Sequence, residues 1–457
     1  MGTIKLEEIL EATGGRLISK GADEFSAVSI DSRTLRGGEI FFALKGDRFD
    51  GNDFALKALE KSAAGAVISR DMEIADRKSL ILVEDPLRAL QALARRRRLK
   101  KDIPVIGVTG SNGKTTTKEM LASILGVGKN TLKNAGNLNN QIGLPLSLTG
   151  LNSVHEAAVL EMGASLPGDI KELCEIASPT HGVFTNIGSA HLEGFGTKEA
   201  LRDTKLELLD FAEVVAVNAD DEYLMEGLRK SGYKGKVVLY AIKNKQNADV
   251  YADDISLGER DSSFTLHSNG GSIGVSLKTS GLFNIYNALA ASSIALAVGH
   301  SQSDTLGDIK AGLDAFAGVA MRFGVRSFNG LTVIGDVYNA NPDSVKEALR
   351  ELKRLSGRIS GQGRAVAVLG DMLELGPYAE EAHKKIGALM NELGIGLFIA
   401  VGPLMALAAE AFGGEKRLAK SAKEAGEMLL KDKIDGDAVL IKGSRGMRME
   451  EVLPDAL

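Results

Sequence analysis

Residues 104–120, PVIGVTGSNGKTTTKEM, join an apolar run to a glycine-rich turn and a helix-forming segment, and this stretch decides the fold. Val105–Thr109 is predicted to be a buried strand, and a helix is predicted to begin at Lys114. Backbone N–H groups in such a turn, with the helix N-terminus behind them, form a cradle for anions. The stretch therefore predicts a phosphate-binding loop at the end of a strand.

The loop carries the side chains that nucleotide chemistry needs. We expect Lys114 to hold the β- and γ-phosphates of ATP and Thr115 to place its hydroxyl on Mg²⁺. The common form of this loop has a glycine six residues before the lysine, where this chain has Val108, so the loop is a variant. A plain strand-to-helix turn is the alternative. The residues expected to contact the nucleotide are Thr109, Gly110, Ser111, Asn112, Gly113, Lys114, Thr115 and Thr116.

Composition limits the classes of function. A chain of 457 residues with 44% hydrophobic and 25% charged residues is typical of a globular protein with several domains. Its net charge of −5 argues against a nucleic-acid or anionic-membrane partner. We interpret the basic run 95–101 as the solvated end of a helix. With one cysteine, Cys174, no apolar signal core and no bilayer-length apolar run, the chain is expected to be cytoplasmic.

Apolar runs alternate with helical periodicity along the chain, which predicts an α/β fold with three domains in series. The domains are expected at 1–100, a small α/β unit; at 101–318, a doubly wound, mostly parallel sheet; and at 319–457, a further α/β unit. Residues 249–278 are expected to add antiparallel strands to the central sheet. In the first domain, Ile4–Ala12 is predicted to be a helix and Phe25–Ser29 a strand.

Two polar side chains follow predicted strands at the edge where doubly wound sheets bind ligands. Glu161 ends an apolar strand, and its carboxylate is a candidate ligand of Mg²⁺, with an ordinary surface glutamate as the equal alternative. His191 lies in the glycine-bounded segment 188–196. A lone histidine is more often a structural hydrogen-bonding residue than a metal ligand, so both interpretations stay open.

Polar loops after other predicted strands offer a surface for a second ligand. The loop 137–143 (NLNNQIG) contains several amides, and the loops 336–343 (DVYNANPD) and 370–376 (GDMLELG) follow strands of the last domain. Turn formation or helix capping explains each loop taken alone. Arg322, just past a domain boundary, is placed to reach a nucleotide phosphate, with an exposed hinge arginine as the alternative.

Together the motifs resemble the Mur ligase family of cell-wall peptide synthetases, over nearly the whole chain. The resemblance rests on DSRTLRGGEIFFALKGDRFDGNDF (31–54), GVTGSNGKTTTKEM (107–120), NAGNLNNQIGLPLSL (134–148), LEMGA (160–164), AHLEGFG (190–196), NIYNALAA (284–291), DVYNANPDS (336–344), GDMLELG (370–376) and IKGSRGMRMEEV (441–452). The segments AGNLNN, HLEGFG, YNAN and GDMLELG resemble the branch of the family that adds D-alanyl-D-alanine.

The resemblance implies an ATP- and Mg²⁺-dependent ligase whose third domain is Rossmann-like. The implied reaction activates a carboxylate of UDP-N-acetylmuramoyl-tripeptide as an acyl phosphate and couples it to D-alanyl-D-alanine, the last cytoplasmic step towards the peptidoglycan pentapeptide precursor. The first domain would bind the UDP-linked peptide, the central domain ATP and the third domain the dipeptide. We expect a monomer with small-molecule substrates and with neither a nucleic-acid nor a membrane partner.

The resemblance also implies roles for single residues. The implied catalytic residues are Lys114, Glu161, His191, Lys205 and Arg322. The implied metal ligands are Thr115, Glu161, His191 and Lys205, the last as a carbamate because a bare ammonium would repel Mg²⁺. The further residues implied to contact the nucleotide are Asn284, Asn287, Arg322 and Asp336. The implied substrate-binding residues are Ser32, Arg33, Lys45, Gly46, Asn137, Asn139, Asn140, Tyr338, Asn339 and Asn341.

Three positions depart from the family pattern, which usually has a histidine at Phe283, a glycine at Met321 and an acidic residue at Gly335. Other functions stay open beside the main one. A different amide ligase of the superfamily, such as the tripeptide-forming synthetase or a folylpolyglutamate synthetase, is disfavoured by AGNLNN and YNAN. A phosphate-loop switch would not need the polar loops of the last domain, and a scaffold would leave the Gly-Lys-Thr loop without a purpose.

Overall fold

The computed structural model describes residues 3–73, 78–189, 192–299, 302–357 and 363–457. Its three large sheets are mostly parallel, and apolar side chains cover both faces of each sheet. Parallel sheets need such burial because crossover helices lie on both faces. The α/β class is therefore confirmed. None of the helices in the described part of the chain combines the length and apolar character that a membrane crossing requires.

The N-terminal region contains a two-stranded pair, β1–β3, and a sheet in the order β2-β7-β6-β5-β4. The prediction that Phe25–Ser29 is a single strand is wrong, because the chain passes from β3 in the first sheet to β4 in the second. Ile4 and Lys5 likewise pair with Phe25 and Glu24, so the helix begins at Leu6. The elements are β1 (Ile4–Lys5), α1 (Leu6–Thr13), β2 (Arg16–Ser19), β3 (Glu24–Phe25), β4 (Val28–Ser29), β5 (Ile40–Phe42), α2 (Asn52–Lys61), β6 (Gly65–Ile68), β7 (Ser79–Leu82) and α3 (Pro86–Leu99).

The central sheet has the order β16-β15-β14-β13-β12-β11-β8-β10-β9 and becomes antiparallel only at β14–β16, as predicted for residues 249–278. Its strands are β8 (Val105–Thr109), β9 (Thr131–Lys133), β10 (Ala157–Glu161), β11 (His181–Phe184), β12 (Val214–Asn218), β13 (Lys236–Ala241), β14 (Val250–Leu257), β15 (Ser262–Ser268) and β16 (Gly271–Leu277). Its helices are α4 (Lys114–Leu125), α5 (Gly143–Leu148), α6 (Asp169–Ala177), α7 (Leu192–Phe195), α8 (Lys198–Leu206), α9 (Glu222–Ser231), α10 (Leu282–Val298) and α11 (Gln302–Ala315).

The C-terminal sheet has the order β17-β18-β22-β19-β20-β21, with β17 as its antiparallel edge. Its elements are β17 (Gly324–Phe328), β18 (Leu331–Asp336), α12 (Pro342–Ser356), β19 (Ala365–Gly370), α13 (Ala379–Leu393), β20 (Leu397–Val401), α14 (Pro403–Ala411), β21 (Glu415–Ala419), α15 (Ala422–Asp432) and β22 (Ala438–Lys442). Each large sheet lies within one predicted segment, which supports our proposal that 100/101 and 318/319 are domain boundaries.

The basic run at the end of α3 is only partly solvated: Arg95 and Lys100 are exposed as predicted, whereas the prediction is wrong for Arg97 and Arg98. Arg97 and Arg98 are 7% and 6% exposed. Arg97 donates to the Glu8 carboxylate at 2.8 Å and to the carbonyl of Leu151 at 2.9 Å. Arg98 donates to the carbonyls of Ala177 and Ser178 at 2.9 and 3.0 Å. The two guanidiniums therefore satisfy backbone acceptors of the central region and join it to the N-terminal one.

Replacing Arg98 with methionine is expected to lower the free energy of unfolding by about 1–3 kcal/mol, because carbonyls at the end of α6 lose a buried donor. Arg95→Met, at an exposed position of the same helix, is the matched control and should change it by less than about 0.5 kcal/mol. Urea unfolding of both variants measures the difference. Equal effects of the two substitutions would show that Arg98 has no anchoring role.

Candidate active site

The phosphate loop follows β8 in the interior of the central sheet, between β10 and β11. Two glycines shape it. At Gly110, φ is +143° and a Cβ would lie 1.9 Å from the Thr185 hydroxyl. At Gly113, φ is +83° and a Cβ would lie 2.3 Å from the Asn287 side-chain oxygen. Both positions therefore require glycine, because a side chain would be strained and would also displace a neighbour.

The residues after β11 hold the loop in place. The Thr185 hydroxyl donates to the carbonyl of Asn112 at 2.6 Å, and the Asn186 amide donates to the same carbonyl at 3.0 Å. The backbone N–H of Asn112 donates to the Asn186 side-chain oxygen at 3.0 Å. Neither Thr185 nor Asn186 was predicted from the sequence to be a site residue. Their position at the end of a strand beside β8 was the signal, and it becomes visible only once strand order is known.

Lys114 begins α4, and its ammonium lies across the loop. It donates to the carbonyls of Gly110 at 2.9 Å and Ser111 at 3.2 Å. Burial lowers the pKa of Lys114, the negative charge of Glu161 opposes this, and the positive charge of Arg322 adds to it. The lysine thus lies beside the loop amides, in the place where a bound phosphate would be neutralised.

Glu161 ends β10, and the residue is only 2% exposed. The Thr115 hydroxyl donates to one carboxylate oxygen at 2.7 Å, and the Asn139 amide donates to the other at 2.8 Å. The alternative of an ordinary surface glutamate is therefore wrong for Glu161. Asn139, which the sequence analysis gave to substrate, is engaged with this carboxylate here, and its contact with substrate stays a prediction.

Asn134 and Lys118 support Glu161, and neither residue was predicted from the sequence to have a role. The Asn134 side chain accepts from the backbone N–H of Glu161 at 2.9 Å and donates to its carbonyl at 3.0 Å. The buried Lys118 ammonium donates to the Asn134 carbonyl at 2.7 Å. Both residues lie in the quoted motifs. Their function was not readable there, because the contacts join three separate chain segments.

Lys205, on α8, is 1% exposed. Within the described residues, no hydrogen bond or ion pair engages its amine. Burial lowers the pKa of Lys205 well below its ordinary value, and the nearby charge of Lys114 adds to the effect. The alternative of a solvated helix lysine is therefore wrong. A neutral, unpaired amine is the form that can react with CO₂ to give a carbamate.

The residues present fit a magnesium ion only when the nucleotide supplies ligands. Across the described ranges, no group of three or more His, Cys, Asp or Glu side chains could hold a metal by itself. Mg²⁺ is usually held by one or two carboxylates together with waters and phosphate oxygens. Glu161 with the Thr115 hydroxyl meets that requirement, and a carbamate on Lys205 would add a second anion. His191 lies outside the described residues, so its role stays a prediction.

The C-terminal region contacts the phosphate loop directly. Arg322 donates to the Thr115 hydroxyl at 3.0 Å. The Asn341 amide donates to the Asn112 side-chain oxygen at 2.7 Å, and the backbone N–H of Ser189 donates to Asp343 at 2.7 Å. The expectation that Arg322 reaches the nucleotide region agrees with its position, and the exposed-hinge alternative is wrong.

The other polar residues after β18 serve the loop that carries them. Asp336 pairs with the buried Lys442 ammonium at 2.6 Å, and the same ammonium donates to the Asn339 carbonyl at 2.8 Å. Asn341 accepts from the backbone N–H of Ser344 at 2.9 Å and so caps α12. A ribose contact of Asp336 and dipeptide contacts of Tyr338, Asn339 and Asn341 stay predictions.

Asn284 and Asn287 lie buried beside the loop on α10. Asn287 accepts from the Thr117 hydroxyl at 3.3 Å and donates to Asn284 at 3.4 Å. Asn284 donates to the Ser280 carbonyl at 2.7 Å. These contacts place Asn287 against Gly113, while a contact of either asparagine with adenine stays a prediction.

The expected UDP-binding residues are not joined to the phosphate loop by any hydrogen bond in the described ranges. Arg33 forms two hydrogen bonds to Asp31, which lower the pKa of Asp31 to about 2. Lys45 and Gly46 lie in an exposed turn, and Ser32 is buried beside Asp31. In the loop 137–143, Asn137 is exposed, and the Asn140 side-chain oxygen accepts from the backbone N–H of Gly143, the first residue of α5, at 2.9 Å.

The loop 370–376 is held by a buried histidine. The backbone N–H of Met372 donates to Nε2 of His383 at 3.0 Å, so Nε2 carries a lone pair and Nδ1–H faces the Ala379 carbonyl at 2.6 Å. Burial lowers the pKa of His383. The neutral imidazole is therefore the form that the folded protein needs.

Because the folded pKa of His383 lies below the unfolded one, its contribution to stability is present above pH ~6.5 and is lost as the pH falls. Between pH 7 and 5, the free energy of unfolding of the wild-type protein should fall more steeply than that of His383→Gln, by up to about 1.4 kcal/mol per pH unit. Unfolding free energies measured across this range give the comparison. Parallel pH profiles for the two proteins would contradict the assignment of a neutral histidine.

Gly113→Ala is expected to weaken ATP binding at least about tenfold, because a Cβ at positive φ is strained and would push Asn287 away from the loop. Gly168→Ala is the matched control, since its φ is +89° and a Cβ there meets nothing within 4 Å. Calorimetric titration with ATP compares the two. Equal ATP affinity in both variants would mean that the contact of Gly113 with Asn287 does not shape the nucleotide site.

Comparison with known proteins identifies the family. Residues 24–98 match the Mur ligase family catalytic domain, residues 108–295 the Mur ligase middle domain, and residues 321–445 the Mur ligase glutamate ligase domain. The UDP-N-acetylmuramoyl-tripeptide–D-alanyl-D-alanine ligase of Escherichia coli (strain K12) is 36% identical over 459 residues, covering 99% of this chain and 98% of the relative.

Two solved structures are similar throughout. Crystal structure I of MurF from Acinetobacter baumannii has a TM-score of 0.89 at 32% identity, covering 100% of this chain and 99% of that one. MurF ligase from Thermotoga maritima in complex with ADP has a TM-score of 0.79 at 32% identity, covering 94% and 96%. Because three family models match in series and a relative of 36% identity is covered almost completely, this protein belongs to the Mur ligase family.

Proposed function

We propose that this chain is an ATP-dependent ligase that joins D-alanyl-D-alanine to UDP-N-acetylmuramoyl-tripeptide. The observation that carries the proposal is the meeting of Lys114, Thr115 and Glu161 with Arg322 from the C-terminal lobe. Relatives that carry the name of this reaction match the chain from end to end, and a similar structure contains ADP. Both facts support the same reaction.

In the first step, a carboxylate oxygen of the tripeptide attacks the γ-phosphorus of ATP, and ADP leaves. Negative charge grows on the transferred phosphoryl group and on the β-phosphate. Lys114, Arg322 and the amides of the phosphate loop lie close enough together to neutralise that charge. When bound by Thr115, Glu161 and the Lys205 carbamate, Mg²⁺ would supply Lewis-acid polarisation of the phosphate oxygens.

In the second step, the amine of the dipeptide attacks the acyl carbon, and inorganic phosphate leaves from the tetrahedral intermediate. Water must be excluded, because it would hydrolyse the acyl phosphate. The pairs Asn112–Asn341 and Ser189–Asp343 bring the C-terminal lobe onto the phosphate loop and so close this side of the site. Closure of this kind is how many enzymes protect reactive intermediates.

We propose the domain roles implied by the resemblance: residues 1–100 bind the UDP-linked peptide, residues 101–318 bind Mg-ATP, and residues 319–457 bring the dipeptide. Ser32, Arg33, Lys45 and Gly46 remain the proposed contacts of the first domain, while Tyr338, Asn339 and Asn341 remain those of the third. We also propose a monomeric enzyme in the cytoplasm, because ATP and UDP-linked precursors are made there.

Lys114→Ala is expected to lower ADP release by at least about a thousandfold, since residues 109–116 lose their one cationic side chain, while the fold stays intact. Lys230→Ala, at an exposed helix position, is the control and should retain full activity. ADP release is measured with UDP-N-acetylmuramoyl-tripeptides that differ in their third residue. The acceptors are D-alanyl-D-alanine, free D-alanine and glutamate.

Each alternative predicts its own outcome. ADP release that needs both the UDP-linked tripeptide and D-alanyl-D-alanine supports the proposal. Preference for a single amino acid would indicate another amide ligase of the superfamily, and release without either substrate would indicate a phosphate-loop switch. Near-normal ligation by Lys114→Ala would disprove the role of the loop.

A further inference from the structure

Arg322 is held from two sides. Its guanidinium lies over the ring of Tyr338, with the guanidinium carbon 4.1 Å from the ring centroid. One of its nitrogens donates to the Thr115 hydroxyl at 3.0 Å. Stacking on an aromatic face orients a guanidinium and leaves its edge N–H groups free for anionic ligands. The ring of Tyr338 therefore orients the Arg322 guanidinium towards the phosphate loop.

The backbone on each side of Arg322 is unusual. Met321 and Phe323 have φ values of +64° and +42°, in the left-handed region that bulky residues rarely adopt. The carbonyl of Met321 accepts from the backbone N–H groups of Val337 and Tyr338, both at 3.1 Å. Strain of this kind persists where surrounding contacts fix it, and it clusters at functional sites. The two hydrogen bonds to the Met321 carbonyl also keep the ring of Tyr338 next to Arg322.

The segment is also packed against the central region. The Phe323 ring meets the Phe283 ring edge to face, with centroids 4.9 Å apart. Phe283 lies on the first turn of α10, one turn before Asn287, and Asn287 lies against Gly113 of the loop. Phe283 and Met321 are two of the three positions where the chain departs from the family pattern. The contacts of these two residues thus fix the position of the backbone at Arg322.

The hydroxyl of Thr115 has a single hydrogen, which it donates to Glu161, so it receives Arg322 through a lone pair. Thr115 keeps a second lone pair, but a metal ion bound there would lie beside the guanidinium, and the two positive charges would repel each other. Binding of a nucleotide with its metal would therefore favour a guanidinium that leaves Thr115 for the negatively charged phosphates.

We propose that Tyr338 is a positioning residue whose ring face keeps the Arg322 guanidinium at the phosphate loop, on the Thr115 hydroxyl before nucleotide binds and on the nucleotide phosphates afterwards. The proposal rests on the proposed function, because it needs ATP at this loop. It differs from the expected contact of Tyr338 with the dipeptide, since it assigns the role to the ring face and not to the phenol hydroxyl.

The test measures ATP affinity by calorimetry without the other substrates, in the whole chain. Tyr338→Leu should weaken ATP binding roughly 5- to 30-fold, the range that a partly buried cation–π contact supports, while Tyr338→Phe stays within about twofold. In an Arg322→Met background, Tyr338→Leu should have no further effect. Tyr251→Leu, which removes a ring stacked on His267, is the matched control and should bind ATP normally.

A spectroscopic measurement accompanies the titration. The chain has seven tyrosines and no tryptophan, so its tyrosine fluorescence is directly observable. Addition of ATP should change this fluorescence in wild-type protein, and the change should be smaller in Tyr338→Phe and in Arg322→Met. Melting temperatures of all variants identify any that fail to fold, and Tyr338→Phe then serves as the informative variant.

The outcomes separate this proposal from the proposed function. If wild-type protein binds no ATP, the proposed function fails. If wild type binds ATP and Tyr338→Leu binds it equally well, or if the losses in Tyr338→Leu and Arg322→Met are additive, the positioning role is wrong. A raised KM for the dipeptide in both Tyr338→Phe and Tyr338→Leu, with ATP affinity unchanged, would instead assign the residue to the acceptor site.

Discussion

The hydrogen bond from Thr115 to the buried carboxylate of Glu161 is the interaction on which the rest of the site depends. The carboxylate of a residue that is 2% exposed is tolerated only when donors replace the water that it has lost. Thr115 and Asn139 are those donors, while Asn134 fixes the backbone on both sides. The phosphate loop, the loop 134–143 and the end of β10 therefore form one connected hydrogen-bonded unit.

Positive charges outnumber negative ones around this carboxylate. Lys114 and Arg322 are cations, and the amine of Lys205 is driven towards its neutral form by burial and by the charge of Lys114. A partly buried site with more cations than anions is costly unless an anion completes it. A triphosphate supplies that anion, so the same imbalance that weakens the site alone favours nucleotide binding.

The polar contacts that join the three regions differ in burial. Arg97 and Arg98 connect α3 to carbonyls of the central region, and Arg322, Asn341 and Asp343 connect the C-terminal lobe to the phosphate loop. The first set is enclosed and suits a permanent attachment. The second set consists of partly exposed single hydrogen bonds, which exchange readily with water and with ligands and so suit a lobe that opens and closes.

The sequence by itself determined the elements whose physics is local. The strand-loop-helix unit at 105–125, the order of sheets and the position of Glu161 at a strand end follow from apolar period and glycine placement over a few residues. Lys205 had no such local signal, and only the resemblance singled it out. Arg97 and Arg98 were misinterpreted, because a basic run at a helix end gives no indication of which carbonyls will pack against it.

The tertiary structure alone decided which of these residues meet. Thr115 and Arg322 are 207 residues apart, and Asn112 and Asn341 are 229 residues apart. Asn134 and Lys118 support Glu161 only because β9, β10 and α4 pack together. Such contacts depend on how whole lobes pack, and side-chain spacing along the chain does not encode that packing. The chemistry of each residue was therefore readable from the sequence, whereas its partners were fixed by the burial of surfaces far apart in the chain.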